Sequence, residues 1–137
     1  KIYEDYLDIW CPKLDDYVFF QNNSTKDSSW LYICNTTTDS FPNFLLEYPL
    51  SDIDSLFSFM KKKPINGFLY WSLNCWRNNI HKQPKGKKYF DSKLWVSNSY
   101  KMYNGDGMLI YPWKNGQLIP SLRLLNIRDQ LELWDIN

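Results

Sequence analysis

The sequence is poor in the residues that mark disordered, fibrous or disulfide-rich chains. Glycine and proline are scarce, at 5 and 7 of 137 residues, which excludes a collagen-like or low-complexity chain. Cysteine occurs only 3 times, and no two cysteines have the Cys-x-x-Cys spacing of a zinc or redox motif. We therefore expect free thiols, without a disulfide framework, a bound metal or a cofactor.

An excess of one charge and a long apolar run are also missing. The 16 Lys and Arg residues are matched by 15 Asp and Glu residues, and a net charge of +1 does not favour a nucleic-acid partner. No apolar run approaches the roughly 20 residues of a membrane-spanning helix, and the start of the chain lacks a signal-peptide pattern. The sequence thus predicts no nucleic-acid and no membrane partner.

Aromatic residues are what the sequence has in excess. Tyrosine, phenylalanine and tryptophan make up 18% of the chain within a hydrophobic fraction of 44%. This composition and a length of 137 residues suit one small domain, residues 1–137, with a substantial core.

Four short apolar runs, at residues 7–10, 30–34, 67–73 and 108–111, are typical of strands. The third run, GFLYWSL, is apolar at nearly every position, as in a parallel strand buried on both faces. The intervals between the runs are too long for hairpins and suit crossover connections. The pattern predicts an α/β fold with parallel strands.

Two helices are predicted between and after these strands. Ser51 is a suitable N-cap for a helix over 51–63, which Pro64 ends. Helical spacing places one apolar stripe on this helix, at Ile53, Leu56, Phe57 and Met60. A second stripe predicts a packing helix over 120–136, at Leu124, Ile127, Leu131 and Trp134.

A long polar stretch separates the third and fourth predicted strands. Residues 77–107 include His81, the one histidine, and a cluster of lysines at 82, 85, 87 and 88 that suits a solvated loop better than a phosphate site. Long loops that follow a strand are often functional. Within this stretch, Asn104 to Gly107 favours a tight turn over a calcium loop, which would need further acidic ligands.

Alternation along the strands separates an aliphatic set of side chains from an aromatic and polar set. The aliphatic set suits a face packed under helices: Leu7, Ile9, Leu31, Ile33, Leu69, Leu73 and Ile110. The other set would line the inside of a barrel: Asp8, Trp10, Trp30, Tyr32, Tyr70, Ser72, Asn74, Trp76 and Tyr111. Aromatic rings beside amides and carboxylates suit sugars, although the same aromatics could simply fill a core.

Several segments resemble the catalytic domain of glycoside hydrolase family 123, in order and spacing. The most specific are NGDGMLIYPW (104–113) and IPSLRLLNIRDQLE (119–132), with GFLYWSLNCW (67–76) before them. LDIWCP (7–12) and the segment 30–57 are similar to preceding strands of that domain. The ending departs from the family pattern over 130–135 but keeps Glu132.

The resemblance implies a β-N-acetylgalactosaminidase-like enzyme on a (β/α)8 TIM barrel. Because a complete barrel takes about 250 residues, residues 1–137 would form an incomplete C-terminal half, about strands five to eight. The start at Lys1 rather than Met also suggests a fragment, whose partner would be the N-terminal half of its own barrel. The resemblance is compatible with a secreted or periplasmic bacterial parent.

The family's mechanism is substrate-assisted: the 2-acetamido oxygen attacks the anomeric carbon, and an adjacent Asp-Glu pair orients the amide and protonates the leaving group. No Asp-Glu dipeptide occurs in this sequence, so we assign it no catalytic residue. The alternative is a noncatalytic carbohydrate-binding or structural module. For contacts with an N-acetylhexosamine-containing glycan the candidates are Trp10, Tyr32, Tyr70, Asn74 and Trp76.

Overall fold

The structure is a computed structural model, which describes residues 6–20, 29–37, 40–76, 95–99 and 103–134. The candidate loop residues His81 and lysines 82, 85, 87 and 88 lie outside these ranges. The described helices are α1 (Leu14–Phe20), α2 (Ser51–Lys61) and α3 (Leu122–Glu132). The described strands are β1 (Ser29–Ile33), β2 (Ile65–Tyr70), β3 (Ile110–Pro112) and β4 (Leu118–Pro120).

A β-α-β unit forms the centre of this small α/β arrangement. β1 and β2 pair in parallel and α2 connects them, as the sequence predicts. The whole predicted apolar stripe of α2 is buried, at Ile53, Leu56, Phe57 and Met60. It packs with Leu31 and Ile33 of β1, which are fully buried. The core therefore lies between the parallel pair and its helices.

The register of β1 and β2 corrects the predicted assignment of Tyr70. Tyr32 pairs with Leu69, whereas Tyr70 pairs with Ile33. Tyr70 therefore lies on the core side, its ring 5.3 Å from that of Phe44, and Leu69 is 44% exposed on the other side. Alternation along one strand cannot fix the register between two strands, and for this reason the prediction matched the two faces of β2 to the wrong faces of β1.

Residues 7–10 do not form the predicted strand, and only Trp10 among them pairs with β1. Leu7 and Ile9 are exposed, and the described pairing consists of single parallel bridges from Trp10 and Lys13 to β1. The carbonyl of Pro12 accepts from the backbone N–H of Tyr32 at 3.0 Å. Proline has no N–H to donate the next bond of a parallel ladder, so the pairing does not extend into a regular strand.

The fourth predicted strand does not join the parallel pair. β3 instead pairs antiparallel with β4 in a hairpin closed around the short 3₁₀ turn Lys114–Gly116. The sequence missed this hairpin because β4 is only three residues long and ends at Pro120, where a helix was predicted to begin. The parallel pairing predicted from the apolar runs is therefore confirmed for β1 and β2, and β3 does not share it.

The two longer helices begin in different ways. The predicted N-cap of α2 is corrected: Ser51 is its first helical residue, and Leu50 precedes it without a side-chain cap. The carbonyls of Pro49 and Leu50 already accept hydrogen bonds from Asp52 and Ile53, so a backbone turn replaces the cap. In α3, the Ser121 side chain accepts from the Leu124 N–H and is a true N-cap.

Packing of α3 against α2 follows most of the predicted stripe. Ile127 is buried, and Trp134 stands edge-on to Phe57 with ring centroids 6.2 Å apart. Leu131 departs from the prediction, because it is 47% exposed. Arg123 is instead the buried residue of the first turn, at 5% exposure.

Among the described helices, none is long and apolar enough to cross a membrane.

Candidate functional site

A cavity of about 250 Å³ opens where β1 and β2 end. Its described lining residues are Tyr32, Cys34, Asn35, Trp71 and Asp106. Cys34 and Asn35 directly follow β1, and Trp71 directly follows β2. Since the two strands are parallel, these residues meet at one carboxyl edge, which is where α/β proteins place their ligand sites.

Asp106 reaches this edge on the turn formed by Asn104 to Gly107. Gly105 and Gly107 have φ angles of 73° and 67°, in the left-handed region that favours glycine. The predicted turn is thus confirmed. Asp106 itself is only 1% exposed, and its Oδ1 accepts hydrogen bonds from the Trp71 indole N–H (2.8 Å) and the Tyr70 hydroxyl (3.3 Å).

Close packing also explains both glycines of the turn. A Cβ atom on Gly107 would lie 2.5 Å from the Trp71 ring, and one on Gly105 would lie 2.8 Å from the Arg123 guanidinium. Both distances are far below normal contact, so any side chain would push Trp71 or Arg123 away. The glycines therefore allow an aromatic ring and a cation to pack directly on the turn that carries Asp106.

Burial of Asp106 sets its electrostatics. Desolvation raises the pKa of this carboxyl above its usual value. The hydrogen bonds from Trp71 and Tyr70 and the positive charge of Arg123 act in the opposite direction. Among the described residues, Oδ2 of Asp106 has no hydrogen-bond partner although it is buried. The carboxyl thus keeps hydrogen-bonding capacity that the protein does not use.

Tyr32 supplies a neutral hydroxyl to the lining of the cavity. Burial, followed by the hydrogen bond with Cys34, raises the pKa of Tyr32 to about 12. The Cys34 sulfur lies 3.0 Å from the Thr36 hydroxyl oxygen. Tyr32 therefore stays protonated at physiological pH and can donate or accept a hydrogen bond.

The remaining predicted site residues lie in three other places. Tyr70 lies beneath the cavity, where its hydroxyl donates to Asp106 and accepts from the Gly107 N–H (2.9 Å). Trp10 is half-buried, 6.5 Å from the Tyr17 ring. Asn74 is exposed opposite Met108, and the Trp76 indole donates to the Ile110 carbonyl at 2.9 Å. Of the five predicted residues, Tyr32 is the one among the described lining residues.

Four lining residues are not among the predicted sugar contacts: Cys34, Asn35, Trp71 and Asp106. Asp106 was interpreted only as part of a turn, because the glycines on both sides dominate the local pattern. Trp71 and Asn35 follow the ends of parallel strands, and this position was the signal that could have identified them. The expected strand runs to Leu73, three residues beyond the observed end of β2 at Tyr70, so the sequence does not place Trp71 at a strand end.

Two larger cavities of about 380 and 420 Å³ lie elsewhere on the described surface. Aliphatic and aromatic side chains make up most of their walls, and none of their described lining residues is acidic. The described residues also contain no group of three or more His, Cys, Asp or Glu side chains placed to hold a metal ion. The cavity at the carboxyl edge is therefore the best candidate site.

Comparison with known proteins identifies the family of the chain. The search of curated proteins found no match. The family model described as "Glycoside hydrolase 123, catalytic domain" matches residues 4–136, nearly the whole chain, which confirms the family that the sequence motifs indicated. Membership in this family implies a carbohydrate substrate. The chain belongs to the glycoside hydrolase 123 catalytic domain family.

Proposed function

We propose that the cavity binds one N-acetylhexosamine ring and that the chain supplies walls of the substrate site of a β-N-acetylgalactosaminidase-like glycoside hydrolase. The observation that carries the proposal is the buried Asp106 carboxyl beside Trp71 and Tyr32 at the carboxyl edge of two parallel strands. A buried acid with unused hydrogen-bonding capacity suits a ligand that is rich in hydroxyl groups.

The size and lining of the cavity fit a single sugar ring. Pockets for drug-sized ligands occupy about 300–1,000 Å³, and the cavity here, at about 250 Å³, is slightly smaller. The apolar C–H face of a pyranose would lie against Trp71 or Tyr32, while hydroxyl groups would pair with Asp106 and Asn35. Four of the five described lining residues thus have a role that depends on their chemistry.

In this proposal Asp106 binds substrate and does not perform the chemical step. The substrate-assisted mechanism implied by the family needs one carboxylate to orient the acetamido group and an adjacent acid to protonate the leaving oxygen. No Asp-Glu dipeptide occurs in the chain. Asp106 has glycine on both sides, so it cannot be half of such a pair.

We further propose that the parallel segments belong to a (β/α)8 barrel, as part of its C-terminal half. The bridges from Trp10 and Lys13 lie on β1, and β2 is the other parallel neighbour of β1. This spatial order follows the chain order, as it does in a barrel. The hairpin of β3 and β4 would then be an addition to the repeating pattern.

Sugar contacts by Trp10, Asn74 and Trp76 stay predictions. Asn74 and Trp76 follow β2 in the chain, and we propose that they extend the site beyond the first ring. Tyr70 supports Asp106 from below, so we propose an indirect role for it.

The second candidate, a noncatalytic carbohydrate-binding module, is favoured by the absence of the Asp-Glu pair. Both functions require the cavity to bind sugar, and they differ in what the parent protein does afterwards. The parent sequence separates them: an Asp-Glu step at the end of an apolar strand supports the enzyme, whereas an unrelated domain supports the module.

Calorimetric titration of the chain with N-acetylgalactosamine tests the proposal. Asp106→Asn keeps the shape of the side chain and removes its charge, and we expect it to weaken binding at least about tenfold. Asp129→Asn is the matched control, since Asp129 is exposed and bonded to Arg128 on the far side of α3. Equal affinities of Asp106→Asn and the wild type would contradict the proposed role of the cavity.

A further inference from the structure

Arg123 is not among the described lining residues of the 250 Å³ cavity, yet it binds the backbone on both sides of Asp106. Its guanidinium donates to the Gly105 carbonyl at 3.0 Å and to the Met108 carbonyl at 2.6 Å. These two carbonyls flank Asp106 in the chain. Movement of Arg123 would therefore remove a hydrogen bond on each side of the carboxyl group.

The same guanidinium connects the turn to the segment that follows β1. It donates to the carbonyl of Phe44 and, at 3.1 Å, to the hydroxyl of Tyr111. The Phe44 ring packs 5.3 Å from the Tyr70 ring, whose hydroxyl reaches Asp106. Arg123 thus supports Asp106 from two directions, through the turn and through Tyr70.

Arg123 is also a buried charge whose direct partners are neutral. It is 5% exposed, and the ion pairs found within the described ranges involve Lys13 and Arg128 but not Arg123. A buried cation is unfavourable unless hydrogen bonds and an anion compensate for its lost hydration. The carbonyls supply the hydrogen bonds, and Asp106, held in the middle of the clamped turn, supplies the anion.

We infer that Arg123 is the positioning residue of the cavity, because it fixes the turn that carries Asp106 and provides the countercharge for its carboxylate. This inference deepens the proposed function and rests on it for the role of Asp106 in sugar binding. The coupling between the two charges does not depend on which ligand the cavity takes. It can therefore be tested without sugar.

The groups around Asp106 allow a clean titration between pH 4 and 8. The Asp106 carboxyl faces Tyr70 and Trp71 at the end of β2, and Arg123 on α3. At the end of β1, it faces Tyr32, Cys34 and Asn35. Burial raises the pKa of both tyrosines, so they stay neutral in this range. Arginine stays charged. The aspartate signal that disappears in Asp106→Asn therefore reports the ionisation of Asp106.

Carbon-13 NMR of the full chain with labelled aspartate carboxyls follows this ionisation, and Asp106→Asn identifies the signal. In Arg123→Met we expect the titration midpoint of Asp106 to rise by about one pH unit or more, because an opposite charge is lost. Arg123→Lys keeps the charge and should return the midpoint most of the way to the wild-type value. Arg128→Met, on the exposed side of the same helix, should leave it unchanged.

A merely structural role predicts a different result. Arg123→Met and Arg123→Lys would then lose stability while the Asp106 midpoint stayed unmoved, and this outcome would overturn the inference. If Arg123→Met does not fold, Arg123→Gln is the neutral variant, since its amide still donates to a carbonyl. A wild-type Asp106 that is fully protonated at pH 7 would overturn the inference without any variant.

Binding of N-acetylgalactosamine separates this inference from the proposed function. A midpoint that rises in Arg123→Met supports the charge coupling whether or not sugar binds. If the wild type binds no sugar, the proposed function fails and the coupling stands. If sugar binds and the midpoint does not move, the role of Arg123 fails and the proposed function stands.

Discussion

At the scale of single residues, the site depends on how closely two side chains, Trp71 and Arg123, approach the turn that carries Asp106. Trp71 packs where Gly107 has no Cβ, Arg123 packs where Gly105 has none, and Asp106 lies between the two glycines. Each glycine also has a positive φ angle, so both the backbone conformation and the surrounding space require it. The four residues 104–107 thus place an acid in the cavity and leave room for its neighbours.

Gly107→Ala should therefore be more harmful than an alanine at another glycine of positive φ. Gly116 is the matched control, with φ of 76° and nothing within 4 Å of its Cβ position. Both variants have backbone strain of about 1 kcal/mol. Gly107→Ala must also displace Trp71, which adds about 1–3 kcal/mol. Urea unfolding measures the difference, and equal losses would show that the Trp71 ring does not pack on Gly107.

The raised pKa of Asp106 predicts a pH-dependent stability difference. A carboxyl whose pKa is higher in the folded than in the unfolded chain binds more protons when folded. The stability of the wild type therefore falls as pH rises from about 4, the ordinary value, through the folded-state pKa. Asp106→Asn lacks this loss, so its stability relative to the wild type should increase between pH 4 and 7. Urea unfolding at several pH values checks this, and a constant difference would contradict the burial of an ionising Asp106.

At the scale of elements, helices and strands differed in how far the sequence could predict them. The apolar stripe of α2 was predicted residue by residue, because helical spacing alone determines which side chains share a face. The strand over 7–10 is reduced to single bridges at Trp10 and Lys13, because Pro12 between them lacks the N–H that a ladder with β1 would need. The face of Tyr70 failed for a related reason, because register depends on the neighbouring strand.

The sequence predicted where the candidate site lies better than it predicted which residues form the site. The carboxyl edge of the parallel strands and the contribution of Tyr32 followed from the sequence, whereas Asp106 did not. Asp106 comes 36 residues after Tyr70, which it contacts, and a contact at that separation has no local signature. Only the folded turn shows that the acid points towards the strands.

The contact between α2 and α3 supplies a prediction about stability alone. Trp134 is half-buried with its edge against Phe57, so Trp134→Ala should lower the free energy of unfolding by about 1–3 kcal/mol. Trp113→Ala is the control, because Trp113 is 48% exposed and its ring makes a cation–π contact with Lys114. We expect a loss below about 1 kcal/mol there. Reduced sugar affinity in a folded Trp134→Ala variant would contradict a purely structural role for this residue.

At the scale of the whole molecule, the two faces of the parallel pair have different roles. The side of Leu31 and Ile33 packs under α2, whereas the side of Tyr32 and Leu69 leads to the cavity. Trp30 also lies on the second side, covering Gly67, and is partly exposed there. This arrangement matches the outer and inner faces of the barrel that we propose.

The chain should bind sugar without cleaving it. We expect the 137-residue protein to hydrolyse no aryl N-acetylgalactosaminide above background, because the adjacent Asp-Glu pair is absent from its sequence. General acid help alone contributes about 10² to 10⁴-fold to such a reaction. A chromogenic assay on purified protein measures this. Turnover that disappears in Asp106→Asn would instead make Asp106 a catalytic residue and contradict its proposed binding role.

The most direct test of the central claim is the indole N–H signal of Trp71 in a nitrogen-15 NMR titration with N-acetylgalactosamine. This N–H donates to Asp106 in the wall of the cavity, and Trp71→Phe identifies its signal among those of the 7 tryptophans. The account predicts that the Trp71 signal shifts and saturates as sugar is added, while the signal of Trp134, which packs on Phe57, stays in place. A Trp71 signal that does not move at saturating sugar concentration, or that moves no more than the Trp134 signal, would contradict it.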